Sequence, residues 1–207
     1  MLVGMIEPGQ AVSMQPEDYF SASMYPSGVP TVSGGKLTVS NIPIGSVAYS
    51  SLGTNTADIN GQFWITDIFV PMRKAITGIG FLQGLTATTD NFLVALYNSK
   101  GQLIANSATA GVTLSGASTF QQQALIVPSN NPTIYGGSTG IVLPGPAQYF
   151  IAIQGNGTAA GAIATIAANT YIDVLGSSLA GTFGTVPATI TPPSTFTANK
   201  APIAYLY

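Results

Sequence analysis

The sequence predicts an all-β protein, an antiparallel β-sandwich of two packed sheets preceded by an extended amino-terminal arm. Three observations lead there. From about Lys36 onward, short runs rich in Val, Ile, Thr, Tyr and Phe alternate with clusters of Gly, Pro, Asn and Ser, which is the punctuation of strands and turns. No long stretch carries the period of an amphipathic helix. Upstream, Pro8, Pro16, Pro26 and Pro30 are spread through a segment without sustained periodicity, and proline fixes φ and removes a backbone donor, which favours extended chain. A length of 207 residues suits one sizeable domain plus such an arm, since domains run to roughly 100–200 residues.

Taken in order, residues 1–40 form the arm and 41–207 the sandwich. Met5, Ile6, Met14, Tyr19, Phe20, Met24 and Tyr25 give the first segment more apolar anchors than disordered sequence carries, so it reads as an arm laid over a neighbour rather than a loose tail. Strands are expected at Lys36–Val39, Ser46–Ser50, Gln62–Val70, Ala75–Leu82, Phe92–Tyr97, Leu103–Asn106, Thr119–Val127, Gln148–Gln154, Ala162–Ile166, Tyr171–Val174 and Ile203–Leu206. Turn spacing leaves about eight to ten strands, enough for two antiparallel sheets. Phe92–Tyr97 and Tyr149–Ile153 are apolar at both parities. Such strands are covered on both faces, either by two sheets and an arm or by another subunit. Asn98-Ser99-Lys100-Gly101 is a β-hairpin turn: Gly101 can take positive φ and Asn98 can bond its own backbone two residues on. Pro128 to Pro132 and Pro144-Gly145-Pro146 mark loops.

Charge bounds the function. Only 6% of the residues are charged, with a net charge of -2, against about 25% charged in ordinary soluble proteins. Charge keeps proteins soluble and apart, so a chain with this little is expected to have much of its surface covered by assembly. No run of about 20 apolar residues could span a membrane as a helix; Ala147 to Leu175 is broken by Gln154, Asn156, Asn169 and Asp173. The aromatics form no pair of girdles, which disfavours a transmembrane barrel. The amino terminus has no basic region or hydrophobic stretch of a secretory signal, so synthesis in a cytoplasm is expected. Five basic residues scattered over the chain cannot form the stripe that nucleic-acid binding requires.

The chain has no histidine and no cysteine, which removes Ser-His-Asp and Cys-His chemistry, imidazole and thiolate metal sites and disulfides. Paired carboxylates could hydrolyse glycosides, but Glu7, Glu17, Asp18, Asp58, Asp67, Asp90 and Asp173 are dispersed, and nothing in the sequence brings Asp67 to Asp173. Ser99-Lys100 sits at a turn tip, where lysine is solvated and inert. Asp58-Ile59-Asn60-Gly61 resembles the start of a calcium loop without the later bidentate acid and reads as a turn. Asp67 could pair with Arg73 or Lys74 across Val70-Pro71. Trp64, with Phe63 and Phe69, could form a sugar platform, although the alternation from Phe63 to Phe69 favours core packing. Asn156-Gly157-Thr158 reads as a loop. No catalytic, cofactor-binding or metal-ligating residue is assigned.

Ile76-Thr77-Gly78-Ile79-Gly80-Phe81-Leu82-Gln83-Gly84, the stretch Phe92 to Ser107, and Pro144-Gly145-Pro146-Ala147-Gln148-Tyr149-Phe150-Ile151-Ala152-Ile153-Gln154 resemble the β-sandwich domains of tailed-bacteriophage virion proteins over about residues 60 to 175. The resemblance implies a jelly-roll-like module and carries over no catalytic residue. The expected function is then a non-enzymatic virion protein that decorates or cements a capsid. Its expected partners are other virion proteins (major capsid or tail proteins) and copies of itself, a trimer among the symmetric options; no membrane or nucleic acid is expected. The alternative is a tail or fibre module that binds a host-surface glycan through loops around Trp64, Asp90 or Tyr135. A depolymerase using carboxylates is a third reading.

Overall fold

A sheet whose strands are apolar at both parities needs a cover on each side, and the architecture is the solution to that requirement. The computed structural model describes residues 39–42, 53–57, 60–86, 89–113, 116–126, 136–137, 140–157, 161–168 and 173–207, and none of these is helical. The elements are β1 (Val39–Ser40), β2 (Thr54–Ala57), β3 (Gln62–Val70), β4 (Lys74–Ile76), β5 (Gly78–Leu82), β6 (Asn91–Tyr97), β7 (Leu103–Asn106), β8 (Val112–Thr113), β9 (Phe120–Ala124), β10 (Gly136–Gly137), β11 (Gly140–Leu143), β12 (Ala147–Gly155), β13 (Ala162–Ile166), β14 (Gly176–Ala180), β15 (Ala201–Pro202) and β16 (Ala204–Leu206). All named strand pairs are antiparallel. The fold is an all-β antiparallel sandwich.

The principal sheet runs β14-β3-β12-β6-β7, with β8 beside β6, and the sheet facing it runs β1-β16-β5-β9. Two smaller sheets, β15-β13-β2 and β10-β11-β4, close the margins. Trp64, Ile68 and Val70 of β3, Phe92, Val94 and Leu96 of β6, and Ile151 and Ile153 of β12 meet Ile79, Phe81, Ala204 and Leu206 of the facing sheet in the central core. The opposite parity of the same strands contributes Phe63, Ile65, Leu93, Ala95, Tyr97, Phe150 and Ala152 to a second core, joined by Leu179 of the neighbouring β14 and roofed by Phe183, Val186 and Ile190. Each buried Val, Leu, Ile or Phe side chain among them stabilises by about 1.5–3 kcal/mol relative to exposure. Among the described residues, one face of these strands is covered by the second sheet and the other by the carboxy-terminal segment.

The Asn98 turn forms as expected. Gly101 has φ 76°, and Asn98 Oδ1 accepts from the Lys100 N–H at 2.9 Å and the Gln102 N–H at 3.0 Å. The Gly101 carbonyl accepts from the Ile190 N–H at 2.8 Å, which pins the carboxy-terminal roof to the hairpin. Pro144-Gly145-Pro146 is the loop between β11 and β12.

Several boundaries differ from the expectation. The Ala75–Leu82 run is two strands, divided at Thr77, because the chain leaves one sheet for another there; the Thr77 N–H donates to the Tyr207 carbonyl at 2.6 Å. Asp173 and Val174 are not strand, and the strand of that region is β14 instead. Strands β2 and β14 are rich in small and polar residues and take their conformation from pairing partners, not propensity. Sixteen strands in the described residues exceed the expected number because many are two to four residues long. Val39 and Ser40 pair with Leu206 and Tyr205, so they belong to the sheet rather than the arm. Residues 1–38, the Ser46–Ser50 strand and the Pro128–Pro132 loop lie outside the described residues.

Gly78 and Gly80 leave the outer face of β5 bare, and the rings of Tyr205 and Tyr207 lie over it; a Cβ on Gly80 would stand 2.2 Å from the Tyr205 ring. Tyr205 is held there by an edge-on contact with Phe120 at 5.1 Å and by Gln122 Nε2, which donates to its hydroxyl at 2.8 Å. Gly80→Ala should cost about 1–3 kcal/mol by overpacking, read as a lower denaturant midpoint at unchanged slope. Adding Tyr205→Ala should cost less in that background than in the wild type, and strict additivity would refute the ring-over-glycine account.

Candidate functional site

Strand β3 outruns its neighbour. Its pairing with β14 stops at Thr66↔Gly176, while pairing with β12 continues to Val70↔Ala147. The Asp67 N–H still reaches back to the Leu175 carbonyl at 3.2 Å, so the Asp67 backbone faces the β14 side. Backbone groups two residues apart on a strand point the same way, so the Phe69 N–H and C=O face that side too. There the chain has left the sheet at Asp173 and Val174.

The space so opened is a cleft of about 540 Å³ lined by Val39, Ser40, Asn41, Asp67, Ile68, Phe69, Pro71, Pro146, Asp173 and Val174, within the range typical of ligand pockets. One wall is fixed by Asn41. Its Nδ2 donates to Thr66 Oγ1 at 2.8 Å and to the Pro202 carbonyl at 2.7 Å, and its Oδ1 accepts from the Ala204 N–H at 3.0 Å. Phe69 is 58% exposed because the roof that covers Phe63 and Ile65 on the same face of β3 does not extend this far.

Asp67 and Asp173, remote in sequence, share this cleft. Asp67 Oδ1 accepts from the Leu175 N–H at 2.8 Å and Oδ2 from Gln148 Nε2 at 3.0 Å. Burial pushes its carboxyl above the ordinary value; the two donors pull the other way, and the charge of Asp173 adds a smaller upward push. The anticipated pairing of Asp67 with Arg73 or Lys74 does not form, because both carboxylate oxygens are engaged by Leu175 and Gln148. No basic residue lines the cleft. Chemically, it offers carboxylates, one exposed aromatic face and an open strand edge.

The other candidate residues fall elsewhere. Trp64 is fully buried in the central core and Asp90 is buried too, so neither is a surface contact for a glycan; Tyr135 lies outside the described residues. Of Phe63, Trp64 and Phe69, only Phe69 reaches the surface. Ser99 and Lys100 are exposed at the hairpin tip. Asp58 and Ile59 lie outside the described residues, and Gly61 turns with φ 87° into β3. Asn156 exchanges backbone and side-chain bonds with Asn91 at the end of β12, while Thr158 lies outside the described residues. Among the described residues, no three acidic side chains gather in a way that could hold a metal ion, and no helix is long and apolar enough to cross a membrane. Sequence alternation places Asp67 and Phe69 on one face; what it could not reveal is that β14 stops short of them.

No family model, curated protein or solved structure matches the chain.

The raised Asp67 carboxyl has a definite pH signature. Between the ordinary value near 3.8 and the raised native one, the folded state holds more protons than the unfolded chain, so stability falls as pH rises through that window. Relative to Asp67→Asn, the wild type should lose unfolding free energy over that interval, with the difference level above and below it. A difference that instead grows in favour of the wild type as pH rises would show that the two donors, not burial, govern this carboxyl.

Proposed function

We propose that this chain is a non-enzymatic structural subunit of a viral particle, of the kind that decorates or cements a phage capsid by packing against copies of itself and neighbouring virion proteins. The observation that carries the reading is the charge deficit: five basic and seven acidic residues in 207 leave little electrostatic repulsion to keep copies apart. The sandwich also leaves the large apolar side chains of Phe69, Leu85, Val112 and Ile126 exposed, each able to be buried by a neighbour. The jelly-roll-like resemblance and the proline-spaced, apolar-anchored sequence ahead of Val39 support a shell component in which that segment would reach across neighbours.

A tail or fibre module that binds a host-surface glycan is the second reading. It is favoured by the exposed Phe69 ring beside Asp67 and Asp173, since an aromatic face next to hydrogen-bonding carboxylates suits a sugar. It would act through this cleft rather than through Trp64 or Asp90.

Deleting residues 1–38 should leave a cooperatively folded sandwich that sediments as a smaller species than the full chain; an unchanged mass distribution would remove the arm from assembly. In a glycan-array experiment the full chain should show no retention on bacterial surface polysaccharides. Retention abolished by Phe69→Ala would favour the second reading. Release of sugar, lost in Asp67→Asn or Asp173→Asn, would overturn the non-enzymatic reading.

A further inference from the structure

We propose that Asn60 is a self-modification site, at which the folded chain converts an asparagine into aspartate or isoaspartate and gains a negative charge at the entrance to β3. This goes beyond the assembly reading and does not depend on it.

The chemistry is intramolecular. The backbone nitrogen of the residue after an asparagine attacks the side-chain Cγ; the new N–Cγ bond forms, the Cγ–Nδ2 bond breaks, and Nδ2 leaves as ammonia with the proton lost from the backbone nitrogen. Water then opens the succinimide ring at either carbonyl. Opening at Cγ gives aspartate, and opening at the backbone carbonyl gives isoaspartate, in which the main chain runs through the side chain. The step needs an unengaged carboxamide, a backbone N–H outside a hydrogen-bonded ladder, and a following residue too small to crowd the ring.

Among the described residues, asparagine precedes glycine or serine at Asn60-Gly61, Asn98-Ser99, Asn106-Ser107 and Asn156-Gly157. The last three pairs are held. Asn98 Oδ1 accepts from the Lys100 and Gln102 N–H groups, and its Nδ2 donates to Gln102 Oε1 at 2.9 Å. Asn106 Nδ2 donates to the Ser107 carbonyl at 2.7 Å, while the Ser107 N–H, which would have to attack, donates to the Val94 carbonyl at 2.8 Å. Asn156 Oδ1 accepts from the Asn91 N–H at 3.2 Å. Gly157 is packed so closely that a Cβ on it would stand 2.3 Å from the Asn60 backbone nitrogen.

Asn60 differs at each point. It is exposed in the turn before β3, and its carboxamide bonds to no described residue. Gly61 has φ 87°, a region that glycine enters without steric cost. Around it, the one described atom near the place of a Cβ is the Gly181 carbonyl oxygen at 3.2 Å. The Gly61 N–H donates to no described residue, whereas the Gly61 carbonyl accepts from the Gly181 N–H at 2.9 Å. That last bond ties the end of β14 to the start of β3. Isoaspartate would lengthen the main chain by a methylene just ahead of Gly61 and loosen it, and either product makes the net charge of -2 more negative.

The test incubates the full chain at mildly alkaline pH, folded and in urea, and follows each asparagine by peptide mapping with electron-based fragmentation, which separates isoaspartate from aspartate. In the folded chain Asn60 should react about tenfold faster than Asn156, a barrier difference of about 1.4 kcal/mol, with Asn98 and Asn106 slower still. Urea should erase the gap between Asn60 and Asn156, because it removes the contacts that hold the second pair. Asn60→Gln should abolish the acidic band that accumulates on isoelectric focusing while the thermal unfolding transition stays in place. In the modified fraction the Gly181 N–H should exchange faster than in the unmodified one. Equal rates at Asn60 and Asn156 in the folded chain, or conversion of Asn60 in urea alone, would overturn the proposal. Unchanged exchange at Gly181 would overturn the loosening.

Discussion

Everything in this fold follows from the ladder of β3, β12 and β6, whose side chains are apolar on both faces. A strand of this kind can be placed only in the interior of a layered structure. The facing sheet satisfies one side, with Trp64, Ile153 and Val94 reaching Ile79 and Phe81. On the other side no further sheet lies among the described residues, and the roof is a carboxy-terminal segment carrying Phe183, Val186 and Ile190. The roof is shorter than the surface beneath it. Where it runs out, Phe69 and Asp67 emerge, and the candidate site is the uncovered remainder of the core.

That origin explains the character of the site. Asp67 sits at the border between roofed and open sheet, partly desolvated and yet bonded to Leu175 and Gln148, so its carboxyl is drawn up by burial and held down by donors at once. Phe69 occupies the next position on the same face and would be a core residue if the roof continued. The asymmetry between β14, which stops at Thr66, and β12, which runs to Val70, converts an interior strand into an edge over a few residues.

Much of this was legible in the sequence, and the divisions are instructive. Gln62–Val70, Leu103–Asn106 and Ala162–Ile166 could be read to the residue because β-branched and aromatic runs ended at turn residues. The Asn98–Gly101 turn was equally plain. Core placement of Trp64 followed from alternation. Gly176–Ala180 was illegible, since Gly-Ser-Ser-Leu-Ala has no strand propensity of its own and is held by β3. The apolar character of Phe92–Tyr97 showed that two covers were needed, but not that the chain supplied both. The cleft depends on where one strand ends relative to another, a tertiary property that no local pattern of Asp67, Phe69 or Asp173 encodes.

The position of β16 has a consequence for how the molecule is made. Ala204–Leu206 does not sit at a margin; it lies between β1 and β5, pairing with Val39–Ser40 on one side and Ile79–Phe81 on the other. The facing sheet therefore has a gap at its middle until Ala204–Leu206 joins it, and contacts of such large sequence separation form slowly. Until then the apolar faces of β3, β12 and β6 lack their cover. The sandwich therefore closes late in folding, when β1, β5 and β16, drawn from distant parts of the chain, come together over the principal sheet.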